Sequence, residues 1–354
     1  MKKLLTSILI TLFAVTLVAA IAPLGVAQAG GDLDPGKIVV ANRGSGTISV
    51  LDALSGELRG TYPLPQGSGD NPPEPMYVVY TRTGDQAFVG DRANDRVVVF
   101  DADSFAVKAI VPTGAGVFHM WVNQFERQLW VNNDIDKTTT VIDPSTLAVI
   151  TTVPTPADLV AQGGKPHDVI LDPKGLIAYV SLVGLPGEYD YVVQYNALTF
   201  QEIGRVMVGK DPHLSLTAHN NYLYVASQGG NSVSIFDRYT LEPIKELAVP
   251  GAHGAGMALN GRYFYTTNLP GGGTDAIFTI RTSDNSIVAE AVDSPYPVPH
   301  NIALTPFPAR MFVTHSGAGA DKVTFYAVSN QNPIPGYLGE VTVGLNPFGL
   351  AYVP

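Results

Sequence analysis

The chain has 354 residues, a formal net charge of -10 and no cysteine. The acidic balance argues against a nucleic-acid partner, which requires a basic face. The lack of cysteine excludes disulfides, thiolate metal ligands and CxxCH haem attachment. Charged residues make up only 15% of the chain, whereas Gly (36) and Pro (27) are plentiful, and this is typical of many short strands joined by tight turns.

The first 29 residues have the features of a secretory signal peptide. Lys2 and Lys3 form a charged start, an uncharged apolar stretch follows from Leu4 to Ala22, and 27–29 reads A-x-A, a cleavage signal. A retained membrane anchor is the alternative, because the apolar stretch approaches the length of a span. Cleavage predicts a periplasmic or extracellular (secreted) protein without a membrane span, in which residues 30–354 form a single domain.

One four-part unit then recurs along the chain. An apolar run leads to a second piece that recurs as VVAN (39–42), FVGD (88–91), WVNN (130–133), YVSL (179–182), YVAS (224–227), YTTN (265–268) and FVTH (312–315). The third piece recurs as ISVLD (48–52), VVVFD (97–101), TTVID (139–143), VVQYN (192–196), VSIFD (233–237), IFTIR (277–281) and VTFYA (323–327). Period-2 alternation and β-branched residues predict strands, and four strands per about 40 to 50 residues predict propeller blades.

Most third pieces end in Asp, which can accept hydrogen bonds from backbone N–H groups of the following turn. This Asp is therefore predicted to be structural. It is replaced by Asn196, Arg281 and Ala327 in three units, and these turns are expected to be closed in another way.

The two ends of the repeat array complete each other. The array begins at a second strand, KIVVAN, and finishes with NPFGLAYVP at 346–354, which matches a first strand. Pairing the two would complete one blade and remove exposed sheet edges. The sequence therefore predicts an all-β, seven-bladed β-propeller with four antiparallel strands per blade, closed by N- and C-terminal segments in one blade.

The pieces YTTN, VVAN, VSIFD and NPFGLAYV resemble those of the YVTN-repeat propellers, also called YncE-like proteins. The resemblance spans the whole predicted domain and implies the seven-bladed fold. It implies little about function, because such propellers serve many roles.

Histidine recurs at one place in this repeat. His119, His167, His213 and His300 stand at the start of the first strand of blades 3, 4, 5 and 7, and first strands line the central channel of a propeller. In blade 6, His253 falls about two places early when aligned on the apolar run. The same position holds Met76 in blade 2 and Phe348 in blade 1.

These five histidines are predicted to ring one mouth of the channel and to bind a metal ion. Neutral imidazoles are ready ligands, and an all-nitrogen set fits Cu, Zn, Ni or Fe, with copper bound most tightly. Met76 would add a soft donor, and Asp168 could orient an imidazole or face solvent. A ring that hydrogen-bonds an organic or anionic ligand is the second interpretation, and ordinary hydrogen-bonded histidines copied by the repeat are the third.

The PH-type motifs at His167 (KPHDV), His213 (DPHLS) and His300 (VPHNI) are similar to those of the propeller domain of nitrous oxide reductase. That resemblance implies a copper centre on the inner strands, with His119 and His253 as looser matches. The chain lacks that family's adjacent His-His pair and its Cys-bearing copper domain. Nitrous oxide reduction is therefore not expected. A mono- or dinuclear copper site is expected instead.

Two functions remain open from the sequence. The first is an exported propeller that binds copper for redox catalysis or metal handling, as a copper-dependent oxidoreductase in the enzymatic case, with an external electron donor. The second is a non-enzymatic scaffold whose rim binds a protein or ligand through loops at 63–75, 156–166 and 182–191, with Tyr189 and Tyr191. His219 is expected to face solvent and His315 to cap a loop. No catalytic residue and no organic-cofactor site can be nominated.

Overall fold

The computed structural model describes residues 35–67, 71–83, 85–217, 220–269, 275–306 and 309–354. The predicted signal peptide lies outside these ranges and stays a prediction. Residues Pro35–Pro354 form one compact unit. In the described ranges, no helix is both long enough and apolar enough to cross a membrane.

Twenty-nine strands form seven sheets. The first three blades contain β1 (Lys37–Asn42), β2 (Thr47–Asp52) and β3 (Leu58–Pro63); then β4 (Pro75–Thr81), β5 (Gln86–Asp91), β6 (Arg96–Asp101) and β7 (Val107–Pro112); then β8 (Val117–Val122), β9 (Leu129–Asn133), β10 (Thr138–Ile142) and β11 (Val149–Pro154). A 3-10 helix, Arg92–Asn94, follows β5, and a single-turn helix, α1 (Ala157–Val160), follows β11.

Blades 4 and 5 contain β12 (Lys165–Leu171), β13 (Ile177–Val183), β14 (Tyr189–Asn196) and β15 (Glu202–Gly209), then β16 (Pro212–Leu216), β17 (Tyr222–Ser227), β18 (Ser232–Asp237) and β19 (Pro243–Ala248). Blades 6 and 7 contain β20 (Ala252–Met257), β21 (Tyr263–Asn268), β22 (Ala276–Arg281), β23 (Ser286–Ile287) and β24 (Val292–Asp293), then β25 (Pro299–Leu304), β26 (Arg310–His315), β27 (Lys322–Ala327) and β28 (Gly336–Thr342). The last strand is β29 (Pro347–Val353).

The ring closes as the repeat pattern predicted. Strand β29 pairs antiparallel with β1, from Lys37 opposite Val353 to Asn42 opposite Pro347. The first sheet therefore has the order β29-β1-β2-β3, and both edges of the repeat array are paired. The predicted seven-bladed propeller with four-stranded antiparallel blades is confirmed, with the outer strand of blade 6 divided into β23 and β24.

Burial follows the position of each strand in its blade. All six residues of β1 are buried, whereas β3 at the outer edge is mostly exposed. Second and third strands are covered on both faces by the neighbouring blades, so they have nearly continuous apolar sequences. Seven hydrophobic clusters result, one at each interface between adjacent blades. The core is therefore distributed around the ring, which explains how the fold manages without disulfides.

The predicted structural role of the Asp that ends third strands is confirmed. The Oδ1 atom of Asp52 accepts hydrogen bonds from the N–H groups of Leu54 and Ser55, at 2.8 and 2.7 Å. Asp237 does the same with the two residues after Arg238. The expectation of a different closure at Asn196 was wrong, because its amide oxygen accepts from the N–H groups of Leu198 and Thr199.

The long loops of blade 4 pack against one another. Leu159 of α1 and Leu185 of the 182–191 loop are buried in the same hydrophobic cluster. Asp158 forms an ion pair with Arg205 of β15, at 2.7 Å. The two loops at this rim are therefore packed together, and the Tyr189 side chain projects from them with 55% exposure.

Candidate metal site at the channel mouth

The site is built from a backbone irregularity that the first strands share. In six blades the pairing of the first strand with the second shifts register near the start of the first strand, as between Pro166 and Val169 in β12. Two residues thereby leave the regular ladder, which is the geometry of a β-bulge. They lie at the end of the strand where the first strands converge on the channel.

Aligned on this register, the seven blades supply two layers of side chains. The first bulge position holds Met76, Phe118, His167, His253, His300 and Phe348, and the equivalent residue of blade 5 is His213, which pairs regularly with Ala226. The second holds Tyr77, His119, Asp168, Leu214, Gly254, Asn301 and Gly349. His253 is therefore equivalent to its neighbours and not two places early. His119 lies one residue later than the others, because Phe118 takes the first position in blade 3.

Six aromatic rings of the first layer follow one another around the axis. Their centroids are 4.9 Å apart for Phe118–His167, 4.7 Å for His167–His213, 3.8 Å for His213–His253, 4.6 Å for His253–His300, 4.2 Å for His300–Phe348 and 6.3 Å for Phe348–Phe118. The sequence-based expectation that imidazoles from separate blades meet at one axis agrees with this geometry.

His119 reaches the same group from the second layer. Its ring centroid lies 5.3 Å from that of His167 and 5.4 Å from that of His213. The Tyr77 ring packs on its other face at 3.7 Å. Met76, considered from the sequence as a soft donor, is fully buried with Phe88 and Val97 in the cluster between blades 2 and 3. Blade 2 therefore contributes an aromatic ring and not a sulfur ligand.

Burial favours the neutral form of His167, His213, His253 and His300. His119, His213, His253 and His300 are at most 8% exposed. Desolvation, followed by repulsion from neighbouring imidazoles, lowers the pKa of His167 and His253 well below the usual value. Desolvation also lowers the pKa of His213, and that of His300 falls to about 3. A neutral imidazole has a lone pair free for coordination.

The hydrogen bonds of the ring leave several nitrogens without a partner. The Nε2 atoms of His167 and His213 lie 3.1 Å apart, and Asp211 Oδ1 lies 3.2 Å from His167 Nε2. Among the described residues, no partner satisfies the buried atoms His119 Nε2, His213 Nδ1 or either ring nitrogen of His253. Buried polar atoms normally have partners, so a ligand bound at this site would supply the partners that these nitrogens lack.

Three histidines come close enough to share one ion. One nitrogen from each of His119, His167 and His213 lies within 4.8 Å of the others. Within the described ranges, no other set of three His, Cys, Asp or Glu side chains converges in this way. Of the five predicted ligands, the structure therefore groups three, while His253 and His300 continue the ring beyond them.

Charged side chains lie next to the two phenylalanines of the channel mouth. The guanidinium of Arg43 lies over Phe348 and pairs with Glu74. On the other side, Arg92 lies over Phe118 and forms an ion pair of 2.7 Å with Asp134. Each of these cations has a carboxylate partner, so this part of the mouth is polar without a large excess of either charge.

The remaining histidines take no part in the ring. His219 lies outside the described residues. His315 is buried, and its two ring nitrogens lie 3.1 Å from Pro297 O and 2.9 Å from Thr324 Oγ1. His315 therefore connects the loop before β25 to strands β26 and β27. Sequence reasoning missed Tyr77 and Phe118, since only the pairing register shows which residue of each first strand faces the axis.

The fold and site together define a seven-bladed propeller with a histidine-lined channel mouth. The family model described as "Lactonase, 7-bladed beta-propeller" matches residues 25–247, and the chain belongs to this family. The comparison with curated proteins gives no match.

Solved structures share the fold at low sequence identity. The periplasmic gluconolactonase of Pseudomonas aeruginosa is 18% identical, with coverage of 90% of this chain and 99% of that one and a TM-score of 0.69. Hydrazine synthase of Kuenenia stuttgartiensis is 15% identical (81% and 92% covered, TM-score 0.67). A protein of unknown function from Desulfotomaculum acetoxidans is 13% identical (90% and 99% covered, TM-score 0.71). At these identities the likeness concerns the fold alone.

Proposed function

We propose that this protein is an exported propeller that binds a late transition-metal ion, copper in the first place, through His119, His167 and His213. Its role is metal handling or redox catalysis. The observation that carries the proposal is the convergence of three imidazoles within 4.8 Å, next to buried ring nitrogens without partners.

The donor set fits such an ion. Imidazole nitrogens bind metals at about 2.0–2.1 Å, so two ligands of one tetrahedral ion lie about 3.3 Å apart. The 3.1 Å between the Nε2 atoms of His167 and His213 is close to this separation, and a bound ion would replace the hydrogen between them, with the donating ring changing to its Nδ1–H tautomer. Ligation also requires neutral imidazoles, and burial lowers the pKa of both residues.

The chemistry of the ligands narrows the choice of metal. Three nitrogens without thiolate suit Cu, Zn, Ni or Fe, and copper has the highest affinity in the divalent series. A bound copper ion would supply one-electron chemistry or a Lewis acid. Burial holds His167 and His213 neutral, and the rings of Tyr77 and Phe118 pack on the histidines.

The location of the site suggests how it is used. It opens at a channel mouth whose rim is partly charged, so an external electron donor or a protein partner is proposed to dock there. Export to the periplasm is proposed from the signal-like N-terminus, and the likeness to a periplasmic gluconolactonase supports it.

Elemental analysis of the purified mature protein after copper loading and desalting tests the proposal. One equivalent of metal is expected, and it should be lost in His167→Ala with His213→Ala. His315→Gln is the matched control, because this buried histidine lies outside the ring and should leave the metal bound. A protein that retains no metal, or a double variant that retains all of it, would refute the metal site.

Hydrolysis of a sugar lactone is the second candidate function, and family membership favours it. At the mouth, Asp211 Oδ1 lies 3.2 Å from His167 Nε2 and would accept its hydrogen, which leaves His167 Nδ1 as the base. Glucono-δ-lactone hydrolysis that persists in chelator and falls in Asp211→Asn would favour this function. If the protein shows neither metal binding nor lactone hydrolysis, the remaining proposal is a non-enzymatic scaffold that binds its partner through the rim loops.

A further inference from the structure

We propose that Asp168 is a positioning residue that fixes the tautomer of His119, so that Nε2 is the atom which His119 offers to the metal ion. The inference rests on the proposed metal site, but its central claim concerns the metal-free protein. It also separates His119 from His300, for which the hydrogen bonds specify the opposite tautomer.

The first step is the environment of the carboxylate. Asp168 Oδ1 accepts a hydrogen bond from the Val169 N–H at 2.7 Å, and Oδ2 accepts one from the Leu214 N–H at 2.7 Å. His119 Nδ1 lies 2.9 Å from Oδ1. Both carboxyl oxygens of Asp168 therefore act as hydrogen-bond acceptors, which is the behaviour of an ionised carboxylate.

The second step concerns the proton of His119. An ionised carboxylate can only accept hydrogen bonds, so the Nδ1 atom of His119 must carry a proton to donate. A second proton on the other nitrogen would need a buried acceptor, so without one that nitrogen holds the lone pair. That atom, Nε2, is buried and has no partner among the described residues. The lone pair is thus available on the side of the ring that a ligand would use.

The third step is the rigidity of Asp168 itself. Its N–H donates to Ser181 Oγ at 2.9 Å, and that hydroxyl donates to the Pro212 carbonyl at 2.8 Å. Together with the Leu214 bond, this network connects blades 4 and 5 and presents the carboxylate to blade 3. A carboxylate that orients a metal-binding imidazole in this way also raises its basicity.

The contrast with His300 supports the assignment. Asn301 occupies the position of Asp168 in blade 7, and its Nδ2 donates to Phe348 O at 3.1 Å and lies 2.7 Å from His300 Nδ1. His300 Nδ1 also lies 3.5 Å from Phe348 O, but the shorter 2.7 Å contact with the donating amide favours a lone pair on Nδ1 and a proton on Nε2. The two ends of the histidine ring therefore differ: His119 offers a free lone pair, and His300 does not.

Long-range proton–nitrogen NMR on metal-free protein with ¹⁵N-labelled histidine tests this inference directly. At pH 7.5, His119 is expected as the Nδ1–H tautomer and His300 as the Nε2–H tautomer. Asp168→Ala and Asp168→Asn should abolish the preference at His119. Asp211→Asn is the matched control, because it removes a carboxylate beside His167 and should leave the His119 tautomer unchanged.

Copper affinity provides the second readout. Asp168→Asn is expected to weaken binding 10- to 100-fold, as is usual for the partners of metal ligands, and the pH profile of binding should change with it. An Nε2–H tautomer of His119 in the wild-type protein, which requires no variant to fold, would overturn the inference. The expected tautomer in a protein that binds no metal would instead refute the proposed function and leave the assignment intact.

Discussion

The neutral histidine ring predicts a steep loss of stability when the metal-free protein is acidified. The pKa of His300 is about 3 in the folded protein because of burial, against about 6.5 in an unfolded chain. Between these values the unfolded state binds the proton and the folded state does not, so the free energy of unfolding decreases as the pH falls below 6.5. The contribution is fully present above pH 6.5.

The magnitude follows from the size of the shift. At pH 4.5 the unfolded histidine is two pH units below its pKa, and each unit corresponds to about 1.36 kcal/mol. His300 alone should therefore reduce the free energy of unfolding by about 3 kcal/mol between pH 7.5 and pH 4.5. The pKa values of His167, His213 and His253 are shifted in the same direction, so each adds a loss of the same sign.

Urea denaturation in the presence of a chelator, at intervals from pH 7.5 to pH 4.5, measures this dependence. His300→Phe is the matched variant, because Phe118 and Phe348 occupy the same position in blades 3 and 1. It should reduce the loss at pH 4.5 by about 3 kcal/mol relative to the wild-type protein. A wild-type stability that changes by less than about 1 kcal/mol over this range would show that the ring is protonated or solvated, and would refute the reasoning.

Three further predictions concern the ring and the fold. His253→Phe removes two unpartnered buried nitrogens, so the metal-free protein should become about 1–3 kcal/mol more stable in urea denaturation; a loss of stability would show that these atoms are satisfied by water. Gly254→Ala places a Cβ 2.2 Å from the His300 carbonyl oxygen and should lower the melting temperature, whereas an unchanged melting temperature would contradict the close approach of blades 6 and 7. Deletion of residues 347–354 removes β29 and exposes the edge of β1, so aggregation measured by light scattering should increase, and a monomeric, fully cooperative variant would contradict ring closure.

The sequence by itself determined the architecture. Seven copies of one strand pattern define the blades, and the match between KIVVAN and NPFGLAYVP defines how the ring closes. The strands of each blade follow from the local alternation of apolar and polar residues. The ring closure follows because every strand edge must be paired, and the repeat shows which strand lacks a partner. The convergence of His167, His213 and His300 on one axis was predictable for the same reason, because equivalent positions in successive blades face the same channel.

Only the tertiary structure decided which side chains form the site. An apolar run shows that a strand is present, but one residue more or less in a bulge changes which side chain points into the channel. This is why His253 proved equivalent to its neighbours and why Phe118 displaced His119 into the second layer. It is also why Tyr77 of the second layer packs on His119, while Met76 is buried between blades 2 and 3. The contact between Asp168 and His119 joins two blades, and no spacing along the chain encodes it.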